Sequence, residues 1–279
     1  MPPHFFRLIG PGRRRVLSGF LVVSLGAAPA GSGISAAGAA TPGHGTALHP
    51  YVKLQPRGTT LNSNLINHGG PVQAAPRIYL DFWGWTSDPS GEQPYLTGFL
   101  QGAGGTNWLH TVAQYGGGWT GNLLAGSWSH AATVPLHPTD AQIQAEAVTA
   151  AGHFGAGTSV DVQIVVATPT GHSTSGFGTQ WCSYHGAVSA DTSITYTNFP
   201  YQTDAGAACG ASLGNPLAGV SIAESNEMTG SITDPLLDAW FDSAGREIGD
   251  KCGKIEDITT AKGTFPVVEL WSNVLGGCA

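Results

Sequence analysis

Half of the acidic residues in this 279-residue chain sit in one stretch. Of 18 acids, 9 fall between positions 224 and 257: Glu224, Glu227, Asp234, Asp238, Asp242, Glu247, Asp250, Glu256 and Asp257. Only Arg246, Lys251 and Lys254 lie nearby in sequence. Carboxylates gathered this closely repel one another unless a cation compensates. If residues 218–233 form a helix, a turn of about 100° per residue puts Glu227 and Asp234 on one face. Glu224 and Ser231 then lie beside them. Oxygen donors of these types, with Asn and Thr oxygens, suit Ca²⁺. The same residues also suit simpler roles. Asp234 precedes Pro235 and can end a helix through bonds to backbone, and Asp242, in DSAG, can make a turn.

Zinc hydrolysis asks for more: nitrogen ligands or a close substitute, an open coordination position and a Glu base. All ten histidines lie at or before His185. An H-E-x-x-H helix around Glu227 needs His where Asn226 and Gly230 stand, so an intact site of that kind is excluded. His68 and His185 are the histidines best placed for chemistry. Each adjoins a glycine, and His185 follows Cys182 closely enough for a disulfide to hold it. A serine nucleophile has weaker support, because no G-x-S-x-G is present. The eight tryptophans (83, 85, 108, 119, 128, 181, 240 and 271) offer stacking surfaces for sugars, or core packing.

These residues need elements to position them. RIYLDFWGW (77–85) is aromatic and β-branched and predicts a buried strand. Residues 94–115 predict two helical pieces broken around Gly102–Gly105, and 119–134 an irregular β segment or strand pair. Thr139-Asp140 caps the Ala-rich run to Gly155, the clearest helix. VDVQIVVATP (160–169) is the clearest strand, and SITYTNFPY alternates as another. Residues 218–233 predict a late helix stopped by Pro235. The order of elements favours an α+β domain with a mixed sheet over a doubly wound fold.

Arg13, Arg14 and Arg15 precede the apolar run VLSGFLVVSLGAAPA and then small residues, the pattern of a cleaved signal peptide over residues 1–40. That leader holds four of the 11 basic residues and no acid, which leaves 7 basic against 18 acidic residues. Such a balance argues against nucleic acid and anionic membranes as partners. Four cysteines, Cys182, Cys209, Cys252 and Cys278, read as two disulfides in an exported chain. Of three pairings, Cys182–Cys209 with Cys252–Cys278 is favoured, since each closes a short loop.

Several segments together carry a resemblance: HGGPV before RIYLDFWG, GAGGTNWLHTVAQY, WCSYHG, FPYQTDAGAACG and SIAESNEMTGSITDPLLDAWFDSAGREIGDKC. From His68 to Cys278 the chain resembles a bacterial secreted family similar to the plant phosphate-induced, EXORDIUM-like proteins. The plant relatives are extracellular or cell-wall proteins linked to growth signalling, with no assigned catalytic mechanism. Many bacterial members carry His-Glu in the late helix and a second Glu three residues on, which looks like a metallopeptidase helix in a zincin-like core. On that likeness Glu227 matches the first Glu, and Thr233, Asp234, Glu247 and Asp250 match the rest of the motif. Asn226 stands where the family has His, and Gly230 where it has the second Glu.

The expectation is therefore a secreted, single-domain α+β protein with a mixed sheet, packed helices and a zincin-like core. A signal peptide (1–40) and an extended arm (41–66) precede the globular domain (67–279). Its function is expected to be non-catalytic, at the cell surface or in the extracellular space, with a degenerate metal site around Asn226. The alternative is a metal-dependent hydrolase with Glu227 as base and His185, Asp234 and Asp250 as ligands, zinc or calcium being the candidate ions. Expected partners are cell-wall polysaccharide or an extracellular protein, with no nucleic acid and no membrane after leader removal.

Overall fold

The computed structural model describes residues 49–51, 63–188, 193–211, 213 and 215–279. The expected leader, and residues 41–48 and 52–62 of the expected arm, lie outside the described residues. In chain order the strands are β1 (His49–Tyr51), β2 (Ile66–Asn67), β3 (Arg77–Trp83), β4 (Leu124–His130), β5 (Val162–Ala167), β6 (Ser183–Ala187), β7 (Thr195–Phe199), β8 (Trp240–Phe241), β9 (Ile255–Thr260), β10 (Gly263–Val268), β11 (Trp271–Ser272) and β12 (Gly277–Cys278). The α-helices are α1 (Glu92–Ala103), α2 (Asp140–Phe154) and α3 (Ala218–Thr233), and 3₁₀ turns span Leu109–Tyr115 and Gln202–Cys209.

A strand apolar on both faces must lie inside a sheet covered on both sides. β3 is such a strand, buried from Ile78 onward. It pairs in parallel with β4 and with β5, and β5 pairs in parallel with β7. β6 and β1 then add antiparallel, giving the order β1-β6-β7-β5-β3-β4. The protein is thus α+β with a mixed sheet. Part of the expected arm belongs to this sheet as its edge strand β1, and Ile66–Asn67 pairs with β8.

Side chains alternate across a strand, so each strand serves two cores. Ile78, Leu80 and Phe82 join Val165 and Ala167 in a core with α1, α3 and β10. Tyr79 and Trp83 join Val162, Ile164 and Val166 against the alanines of α2. Helix α2 begins at a capping box, with Thr139 accepting from the Gln142 amide and Gln142 from that of Thr139, and it ends at left-handed Gly155. That is the helix its sequence predicts.

All sixteen residues of α3 are buried, although ten of them are Ser, Thr, Asn, Glu or Gly. Three of its hydroxyls turn inward on the helix itself. Ser225 donates to the Ile222 carbonyl, Thr229 to that of Ser225 and Thr233 to that of Thr229. Such back-bonding satisfies polar side chains that have no water to meet. Gly219 lets α3 approach the preceding 3₁₀ turn, because a Cβ there would strike the Cys209 carbonyl.

The two disulfides are Cys182–Cys209 and Cys252–Cys278. The first ties β6 to the 3₁₀ turn below α3, and the second ties the loop after Glu247 to the C-terminal strand. Two such crosslinks fit an extracellular protein. Among the described residues no helix is long and apolar enough to cross a membrane.

Two expectations were left open between alternatives. Of the two readings of residues 119–134, the structure has the irregular β segment, with the single strand β4 (Leu124–His130), and not the strand pair. The segment before β4 is a loop held to the end of α1, with the Gly105 amide donating to the Trp119 carbonyl, and the Leu124 amide donates to the Asn122 side chain. Of the two roles open to the tryptophans, the structure has core packing and not an exposed stacking surface. Trp83, Trp108, Trp181 and Trp271 are buried, and Trp85, Trp119, Trp128 and Trp240 are half-buried against the cores. Their large apolar area is consumed by packing.

Replacing Cys182 and Cys209 together with Ser should lower unfolding free energy by about 2–4 kcal/mol. A urea titration of the paired variant against the parent chain measures this directly.

Candidate functional site

Strand β6 sends Ser183 and His185 to the α3 side of the sheet and Tyr184 to the α2 side, where it donates to Asp140 at 2.9 Å. Glu227 projects from the middle of α3 to meet that strand. One of its oxygens accepts from Ser183 Oγ at 2.7 Å, and the other lies 2.9 Å from His185 Nδ1. The far ring nitrogen, Nε2, lies 3.5 Å from Glu247 Oε1. The imidazole thus spans two carboxyl groups. His185, Glu227 and Ser183 are 0% exposed and Glu247 is 1% exposed.

Burial alone would lower the His185 pKa. The charge of Glu247 and the hydrogen bond to Glu227 outweigh it and raise the pKa well above the ordinary value, so the ring is an imidazolium. Glu224, one turn before Glu227, finds no hydrogen-bond partner among the described residues. Desolvation and the nearby Glu227 push its pKa well above the carboxylate range, so it is neutral in this core. Asp234 ends α3 and accepts from the Ala239 amide at 2.6 Å. Burial, then the charge of Glu247, raises it to about 7.

The two positions that depart from the metallopeptidase-like pattern have packing reasons. A Cβ on Gly230 would run into the Glu247 carboxyl and the His185 ring. Only a residue without a side chain lets both press against α3 at this level. Asn226 abuts the backbone of Gly249, and its amide group reaches Asp250 Oδ1 at 3.4 Å. Asp250 in turn accepts from the Glu247 amide at 3.1 Å. Asn226 therefore helps to place the turn that carries Glu247.

Of the residues named from sequence, the structure brings His185, Glu227, Asn226, Asp250 and Asp234 to one region around α3. His68 lies elsewhere. It is exposed and stacks on Phe241 with ring centroids 3.7 Å apart. Asp242 makes the turn its sequence suggests, accepting from the Ala244 and Arg246 amides. It also pairs with Arg246 and with buried Lys251. Burial opposes its charge, but these bonds hold it at about 2.

This arrangement does not form a nucleophile. A serine hydrolase needs the serine hydrogen-bonded to the histidine. Here the Glu227 carboxyl lies between Ser183 and His185 and engages both. Nor are His185, Asp234 and Asp250 gathered as a metal-ligand set. Among the described residues, the triplet whose ligand atoms all lie within 4.8 Å of one another is Asp81, His130 and Glu146, on the opposite side of the sheet. Those three were not singled out from sequence. The one available signal was an acid, Asp81, in the middle of the apolar run RIYLDFW, since a buried strand acid must find a partner.

No protein-family model, curated protein or solved structure matches the chain.

Gly230→Ala should destabilise the fold by about 1–3 kcal/mol, because the added methyl overfills the space between His185 and Glu247. Thermal denaturation of this variant would show the loss. A pH effect follows from Asp234. Its folded pKa of about 7 lies above the ordinary 3.8, so the folded state holds a proton that the unfolded state has released. Its contribution to stability is therefore full below pH 4 and is lost as pH rises to about 7. The loss is at most about 4 kcal/mol. Asp234→Asn should flatten that part of a plot of urea midpoint against pH.

Proposed function

We propose that this is a secreted, non-catalytic protein of the EXORDIUM-like type, working at the cell surface or in the extracellular space. The observation that carries the reading is the burial of His185 between Glu227 and Glu247. A general base must reach a substrate proton, directly or through one water. Glu227 is 0% exposed, and each of its oxygens already holds a partner. A zinc ligand must offer a free ring nitrogen, but the His185 imidazole faces a carboxyl group on both sides. The late helix is thus a structural pillar on this reading. Its polar residues tie the central sheet to the turn around Asp250 rather than grip an ion.

The two disulfides and the acid-rich, cation-poor composition support an extracellular site of action. Cell-wall polysaccharide or another extracellular protein is the proposed partner. The buried and half-buried tryptophans leave recognition of either to polar loops rather than to an aromatic platform.

The competing reading is a metal-dependent hydrolase acting through Glu227. Casein cleavage by the purified chain and by Glu227→Gln separates the two. The proposal expects no cleavage from either protein. It also expects Glu227→Gln to lose about 3–5 kcal/mol of stability, as breaking a buried charge pair does. Cleavage by the parent chain that disappears in Glu227→Gln would overturn it.

A further inference from the structure

The face of the sheet away from α3 carries a second group of ionisable residues. Asp81 comes from β3, His130 from the last position of β4 and Glu146 from the second turn of α2. The parallel pairing of β3 with β4 sets Trp83 opposite His130, which leaves Asp81 diagonal to it on the same face. Helix α2 lowers Glu146 onto this pair. One ligand atom from each residue lies within 4.8 Å of the other two. His130 Nδ1 and Glu146 Oε1 are 2.6 Å apart.

Asp81 sets this group apart from an ordinary surface cluster. It is 0% exposed, and neither of its oxygens accepts from an N–H or hydroxyl donor among the described residues. What faces it is the Glu146 carboxyl group, and the two can share a hydrogen bond only through a proton on one of them. A buried carboxyl group facing a second one is costly as an anion, and that cost falls if a cation sits between them. The surroundings are also built for a ligand. The His130 ring stacks on Trp128 at 3.9 Å, and Trp128 stacks on His153 at 3.8 Å from the other side. That sandwich fixes the plane of the imidazole. The His130 side chain is 21% exposed, so the group has one side open to solvent. The group also sits at the carboxyl ends of two parallel strands, where open α/β sheets commonly place their ligands.

We propose that Asp81, His130 and Glu146 form a site for a divalent transition-metal ion, with zinc the best match. One imidazole and two carboxylates are a borderline donor set, softer than the all-oxygen shell that calcium or magnesium prefers. Three protein ligands leave a coordination position for water on the exposed side. The site is separate from α3, so it does not depend on the fate of Glu227.

The test uses the whole secreted chain, stripped with chelator and titrated with Zn²⁺ by calorimetry, and with Co²⁺ by visible absorption. The expected result is about one zinc per chain, and a cobalt spectrum of low coordination number. Asp81→Asn and His130→Gln should each weaken zinc binding at least about tenfold. Glu227→Gln should leave it unchanged. Far-UV circular dichroism checks that each variant folds, and partly exposed His130 provides the readout if Asp81→Asn does not. Zinc binding that survives His130→Gln in a folded chain would overturn the assignment. So would a chain that takes up calcium but not zinc, or a zinc site lost in Glu227→Gln alone.

Discussion

A helix buried on every side has no water to satisfy its polar side chains, and α3 is such a helix. Each hydroxyl, amide and carboxyl on it must find a partner in the protein or stay neutral. Ser225, Thr229 and Thr233 solve this locally, by bonding back to the helix carbonyls, and Ser221 reaches the Pro266 carbonyl. Glu227 cannot do so, and its answer is His185 from the neighbouring strand with Ser183 beside it. Glu224 takes the other route and stays protonated. The positions of Gly230, Asn226 and Asp250 then follow, because each makes room for, or places, the group that closes the far side of the imidazole.

A buried ion pair of this kind adds little to stability over an apolar core of the same volume, yet losing one partner is costly. Its main physical effect is to allow one arrangement of β6, α3 and the turn after residue 246. The disulfides act in the same places. Cys182 immediately precedes Ser183 in β6, and Cys252 follows Asp250. Covalent and electrostatic constraints therefore converge on the segments that enclose the buried imidazolium.

The sheet divides the chemistry of the molecule in two. With a period of two residues, β6 turns Ser183 and His185 toward α3, while β3 turns Asp81 toward α2. The first group is closed to solvent, and both Glu227 oxygens hold partners. The second opens at His130 and brings one ligand atom from each of three residues within 4.8 Å of one another. That contrast is why the two groups are assigned different roles, one holding the fold and the other holding an ion.

Much of the framework was legible in the sequence. Thr139 and Gln142 announced the start of α2, and Gly155 its end. The apolar runs announced β3 and β5, and the loop lengths favoured the disulfide pairing that forms. These signals are local: caps, periodicity and loop closure act over a few turns of chain. The sequence also suggested Glu227 and His185 for one metal site, but not their direct contact. Their contact joins positions 42 residues apart, and only the docking of α3 against β6 creates it. Asp81, His130 and Glu146 were illegible for the same reason, since strand pairing and helix packing, not spacing along the chain, set the distances between them.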